Sequence, residues 1–157
     1  MPERRLTKVG GAESTPTTVR KARISWLTNP PRGHAKVSLG SRAFAALPMA
    51  MGGSESEPRV TDAGELMAAA HGSVVAAILA EVLVGAGTPA QELVVSVTYA
   101  FAGDWFALTE QRLHVEGRVR DCTPQSFERA ALEAVRRCGE AFGAPEHPKL
   151  TISTRLR

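Results

Sequence analysis

Aromatic side chains make up only 5% of this 157-residue chain, and it has just two cysteines. With so few aromatics, and no basic stripe in which they interleave, a nucleic-acid surface is not expected. The formal charge of +3 does not reopen that reading: residues 1–22 hold five basic and two acidic side chains, which leaves the remainder neutral overall. Cys122 and Cys138 form neither a C-x-x-C pair nor a His–Cys cluster at zinc spacing, so no structural metal is expected. The N-terminus carries charge without the apolar stretch of a secretory signal. The longest uninterrupted apolar run near the middle, Val74 to Ala80, falls far short of the ~20 residues of a membrane span. The chain therefore reads as cytoplasmic, with free thiols rather than a structural disulfide, and with neither nucleic acid nor membrane as a partner.

What is present fits one domain. The length allows a sizeable core, and 43% hydrophobic and 22% charged residues are ordinary for a globular protein. Residues 1–18, rich in Thr, Gly, Ser and charge, read as a mobile tail, and residues 19–157 as a single domain. Val19 to Leu27 alternates loosely as a strand. Asn29 to Gly33 is turn chemistry made rigid by two prolines. His34–Leu39 reads as a second strand, Arg42–Leu47 as a short third, and Pro48 to Pro58 as a surface loop. Asp62 followed by Glu65 opens a helix through a capping-box-like start, and Gly85 and Gly87 stop it. Its apolar residues (Leu66, Met67, Ala70, Val74, Val75, Ile78, Leu79, Val82, Leu83) cover nearly the whole circumference. A helix of that kind is expected to be buried on several sides, between a sheet and a further element such as a second subunit. Glu92–Phe101 and Trp105–Val119 alternate as a long hairpin. Thr123–Pro124 opens a second helix with the stripe Phe127, Ala131, Leu132, Val135, Cys138 and Phe142. Leu150, Ile152 and Leu156 mark a last strand. The order β-β-β-α-β-β-α-β is an α+β arrangement, expected as an antiparallel sheet with two packed helices.

The first helix carries a family resemblance. Asp62 to Val75 resembles the central helix of the OsmC/Ohr thiol peroxidases, N-P-E-E-L-x-x-A-A-H-A-A-C-F. Glu65–Leu66 fall on the E-L, Ala69–Ala70–His71 on the A-A-H, and Val74 on the cysteine. Ala22 to Trp26 resembles the family's first strand. Arg32–Gly33 with Val37–Ser38 resembles its R-G-x-G-x-V-S segment, and Phe127 with Cys138 matches the span of its second helix. The resemblance runs from about residue 20 to 157. It implies the OsmC-like fold, an interlocked homodimer, no cofactor, and a link to organic hydroperoxide resistance and oxidative stress.

A thiol peroxidase needs a thiolate beside a cation. The resemblance assigns that cation to Arg32 and the nucleophile to position 74, which here is valine. The carboxylate that holds the arginine falls on Gly64, not Glu65. Cys138 matches the resolving cysteine but is followed by Gly139 and sits near a helix C-terminus, where the dipole disfavours a thiolate. His71, one turn before Val74, would pair with Cys138 if positions 74 and 138 touch; otherwise Cys138 is an inert core residue. Arg32 is either the site cation or a plain turn residue. His34, His114 and His147 show no partner pattern, and Cys122 reads as packing. Two functions follow. One is a non-catalytic or repurposed protein whose pocket, flanked by Glu65, His71 and Val74, binds a small apolar molecule. The other is a hydroperoxide reductase working through Cys138 with an external thiol.

Overall fold

A computed structural model describes residues 18–26, 34–50, 60–102, 107–142 and 149–157. Arg32, Trp105, His147, the expected loop beyond Ala50 as far as residue 59, and all but residue 18 of the expected tail lie outside that set. The first sheet is a meander of β1 (Ala22–Trp26), β2 (His34–Leu39) and β3 (Leu47–Ala50), each antiparallel to the next. The third strand is displaced from the expected Arg42–Leu47. Arg42 and Ala46 adopt left-handed φ of 62° and 53°, which extended backbone forbids. That segment is a turn, tied by Arg42 N–H to Leu39 C=O at 3.0 Å and by Ala46 N–H to Ser38 Oγ at 2.9 Å. Pro48 is accommodated in β3 because the strand is at the sheet's edge. Ala35, Val37 and Met49 form a small core here, and Leu66 of the first helix packs against it.

The second sheet holds β4 (Ala90–Ala102), β5 (Ala107–Val119) and β6 (Lys149–Leu156) in the order β4-β5-β6. β4 and β5 make the expected antiparallel hairpin, but β6 runs parallel to β5. The expected single antiparallel sheet is therefore two sheets, the second of them mixed. Topology explains the change: the chain leaves β5, crosses through a helix and returns in the same direction, as a parallel pair requires.

Two helices cover one face of this sheet. α1 (Ala63–Gly85) starts at the cap Asp62, whose Oδ1 accepts from Glu65 N–H at 2.8 Å. Beyond its last residue, Gly85, and the cap Ala86, the chain turns at Gly87, φ 76°, where Gly87 N–H bonds Val84 C=O and Thr88 N–H bonds Leu83 C=O. That pair of bonds is a Schellman ending, and the positive φ is why glycine stands there. α2 (Pro124–Phe142) starts where the Thr123 hydroxyl accepts from Ser126 N–H at 3.1 Å. The main core joins Val75, Leu79 and Leu83 of α1, Leu113, Val115 and Val119 of β5, and Phe127, Ala131, Ala134 and Cys138 of α2. Leu132, expected in the stripe, is 47% exposed. Gly117 is needed for close approach: a Cβ there would lie 2.5 Å from the Phe127 ring.

Candidate functional site

The site region forms where the N-terminal half of α1 crosses the far end of β4. Two glycines let the helix settle on the strand. A Cβ on Gly72 would meet Val97 Cγ2 at 3.1 Å, and one on Gly64 would meet Phe101 Cε2 at 2.9 Å and Asp62 Oδ1 at 3.2 Å. The hairpin register slips between Ala100 and Phe101, the kind of irregularity that re-aims a side chain beside a site. The Phe101 ring thus takes the space next to the position where the resemblance sets an arginine-holding carboxylate.

His71 Nδ1 shares a 2.7 Å hydrogen bond with the Tyr99 hydroxyl, and the two rings sit 5.9 Å apart. Tyr99 meets Phe101 edge-on, with centroids 6.2 Å apart. Burial raises the Tyr99 pKa, and a charge on Cys138 would raise it further, so the two acids lie within electrostatic reach of each other. Cys138 itself is 1% exposed, and burial pushes its thiol above the ordinary value. Val74 is half-buried against the same main core. The structure therefore joins His71, Tyr99 and Phe101 at the crossing, with Cys138 within electrostatic reach of Tyr99 and Val74 packed on the same core as Cys138. Arg32, the cation that the resemblance assigns to the thiol, lies outside the described residues.

Glu65 falls on the other side of α1. Its carboxylate accepts from the Thr61 hydroxyl at 2.9 Å, while its N–H completes the Asp62 cap. It stands at one end of a groove of about 600 Å³, lined by Ala68, Ala69, Gly72, Ser73 and Ala76 of α1 and by Val95 and Val97 of β4. The pocket expected from Glu65, His71 and Val74 is thus divided: Glu65 lines this groove, and His71 faces Tyr99. Among the described residues no cluster of three or more His, Cys, Asp or Glu is placed to hold a metal.

No protein-family profile and no curated protein matches this chain. Solved structures do. An OsmC-like protein of unknown function from Vibrio cholerae superposes with a TM-score of 0.69 at 10% identity, covering 88% of this chain and 99% of that one. An OsmC-like protein from Mycoplasma pneumoniae gives 0.65 at 13% identity, with 87% and 96% covered. The chain has the OsmC-like fold. The organic hydroperoxide resistance protein OhrB of Bacillus subtilis shares it at a TM-score of 0.56 and 11% identity, with 87% and 98% covered.

Within this fold, Tyr99 is the residue that sequence reasoning left unassigned. It is the chain's single tyrosine and falls on the inward parity of β4, so its pattern reads as strand packing. Only the crossing of α1 over β4 reveals that a residue 28 positions from His71 is its hydrogen-bond partner.

Proposed function

We propose that this OsmC-like protein is non-catalytic as a peroxidase and binds a small apolar molecule beside α1. The carrying observation is the state of the thiol that matches the family's second cysteine. Valine occupies position 74, and Cys138 is sealed in the core with its pKa raised. A peroxidatic thiol needs the opposite: exposure, and a depressed pKa beside a cation. The groove of about 600 Å³ between α1 and β4 falls within the size range of small-molecule sites, and its lining is mostly apolar. Arg32 is proposed as the group that receives an acidic head.

Assembly as a homodimer belongs to the same reading. α1 is long and apolar enough to cross a membrane by length and composition, yet only 22% of that stretch is buried within one chain. Packing against β4 and α2 places it in a folded core, and a second copy is the cover proposed for its remaining apolar surface. An obligate interface of this kind buries on the order of 2,000 Å² or more. A folded monomer in light scattering at micromolar concentration would remove the dimer from the proposal.

The competing reading keeps hydroperoxide reduction through Cys138 alone, with an external thiol. The test is cumene hydroperoxide consumption with dithiothreitol, run on wild type and Cys138→Ser. The binding reading expects both proteins to stay at the buffer rate, and decanoate to bind both. Turnover in wild type that disappears in Cys138→Ser would establish the competing reading instead.

A further inference from the structure

On the face of the second sheet turned away from the helices, β5 and β6 bring three side chains into one hydrogen-bonded line. Ser153 is the register partner of His114. Its Oγ lies 2.8 Å from His114 Nδ1, and His114 Nε2 lies 3.1 Å from Glu116 Oε1. The other carboxylate oxygen of Glu116 forms an ion pair with the Arg157 guanidinium, 2.8 Å away.

The direction of these bonds follows from the chemistry of the groups. A carboxylate in an ion pair offers only acceptors, so the hydrogen between Glu116 and His114 belongs to Nε2. In the neutral ring Nδ1 is then an acceptor, and the Ser153 hydroxyl must donate to it. Arg157 fixes Glu116, Glu116 fixes the histidine tautomer, and the histidine presents a base to the serine. That is the nucleophile, base and orienting group of a hydrolytic relay. Ser153 is exposed and His114 partly so, which leaves the line open to a molecule from solvent.

The geometry points to Ser153 as a nucleophile toward activated carboxylic esters, with His114 as its base and Glu116 and Arg157 as positioning residues. Ser153 Oγ bonds to the ester carbonyl carbon as its proton passes to His114 Nδ1. The C–O bond to the aryl leaving group then breaks, and the aryloxide takes that proton. Water attacks the acyl-serine, again giving a proton to Nδ1. The C–Oγ bond breaks, the proton returns to Ser153, and one ester plus one water become one acid plus one phenol. An open sheet face gives little help to a poor leaving group, so esters of acidic phenols are the substrate class.

The test uses p-nitrophenyl acetate and a fluorophosphonate label on the full chain. Wild type is expected to hydrolyse the ester above the buffer rate and to carry the label on the peptide containing Ser153. Ser153→Ala and His114→Gln should each lose about a hundredfold of that enhancement, the scale of general-base assistance. Glu116→Gln should lose less, and its deficit should appear in turnover rather than in KM. Ser96→Ala, on the neighbouring strand and opposite His114, should keep full activity, and thermal melts of all variants report folding. Turnover that survives in Ser153→Ala would leave the imidazole acting alone and overturn the serine assignment. Wild type that stays at the buffer rate without label would overturn the whole proposal.

Discussion

α2 and α1 lie side by side on one sheet, yet they divide their side chains differently. α2 buries Phe127, Ala130, Ala131, Ala134, Val135 and Cys138 and keeps its charges outside. On that outer face Glu133 bonds both Arg136 and Arg137, and Arg136 also reaches Glu140. The Glu133 carboxyl is held down at about 2 by hydrogen bonds from Arg136 and Arg137. α1 has no such outer face. It is apolar all round but buries only Gly72, Val75, Leu79 and Leu83, leaving Met67 and Val84 more than half exposed. One helix divides its apolar and charged faces cleanly; the other carries apolar surface that the described residues leave exposed. The difference directs stability arguments to α2 and functional ones to α1.

The largest expected effect tests the α2 side. Phe127→Ala removes the largest fully buried side chain and should cost about 3–5 kcal/mol in urea unfolding. Met67→Glu, by contrast, replaces a side chain that is 53% exposed in the single chain. Intrachain stability should move by no more than about 0.5 kcal/mol, as for an ordinary surface change. Association measured by light scattering should weaken at least tenfold. If Met67→Glu instead lowers intrachain stability while association stays at the wild-type level, the contrast between the helices fails.

The same contrast decides what could be read from the sequence. The elements were legible because their signals are local: the Asp62 cap, the Thr123–Pro124 start, and the period of two in β4 and β5. The direction of β6 was not, since it depends on where a crossover helix delivers the chain. The turn at Arg42–Ala46 was missed because neither residue is one that usually takes a left-handed φ. The site was half legible. Position 74 stood out against the family pattern, and Gly64 with it. The Tyr99–His71 bond and the filling of space beside Gly64 by Phe101 join residues tens of positions apart. His114 had no partner in the sequence for the same reason.

A second prediction sharpens the α1 side. Val74→Cys is nearly volume-neutral and should fold, and mild oxidation should link positions 74 and 138 if their Cα atoms lie within about 7 Å. Hydroperoxide reduction by this variant should stay weak, because position 64, where the resemblance sets the arginine-holding carboxylate, is glycine. Adding Gly64→Glu supplies a carboxylate but drives its Cβ into the Phe101 ring, at 2.9 Å. Overpacking of this kind costs about 1–3 kcal/mol. The double variant should therefore melt lower than Val74→Cys alone, and Phe101→Ala in the triple variant should recover part of that loss. Peroxide consumption should rank the triple variant above the double. Equal melting of single and double variants would show that Phe101 yields freely, and that the missing carboxylate has no steric cause.

The smallest effect concerns alkaline stability. Burial raises the Cys138 thiol above its ordinary value of 9.0, and burial, with the charge on Cys138 second, raises Tyr99 above 10.0. Both groups therefore keep their protons to higher pH in the folded chain than in the unfolded one. The stability this gives is fully present below the unfolded values and declines as pH rises through 9 toward the folded ones. Above pH 9 the unfolded chain binds fewer protons than the folded chain, so the slope of unfolding free energy against pH is negative. One such group contributes at most about 1.4 kcal/mol per pH unit. Cys138→Ala removes the thiol and also the charge that would act on Tyr99. Urea unfolding at pH 8, 9 and 10 should show a shallower decline for Cys138→Ala than for wild type, whatever their difference at pH 8. Parallel curves would mean that the thiol ionises as easily in the fold as outside it. In that case burial would no longer argue against Cys138 as a nucleophile.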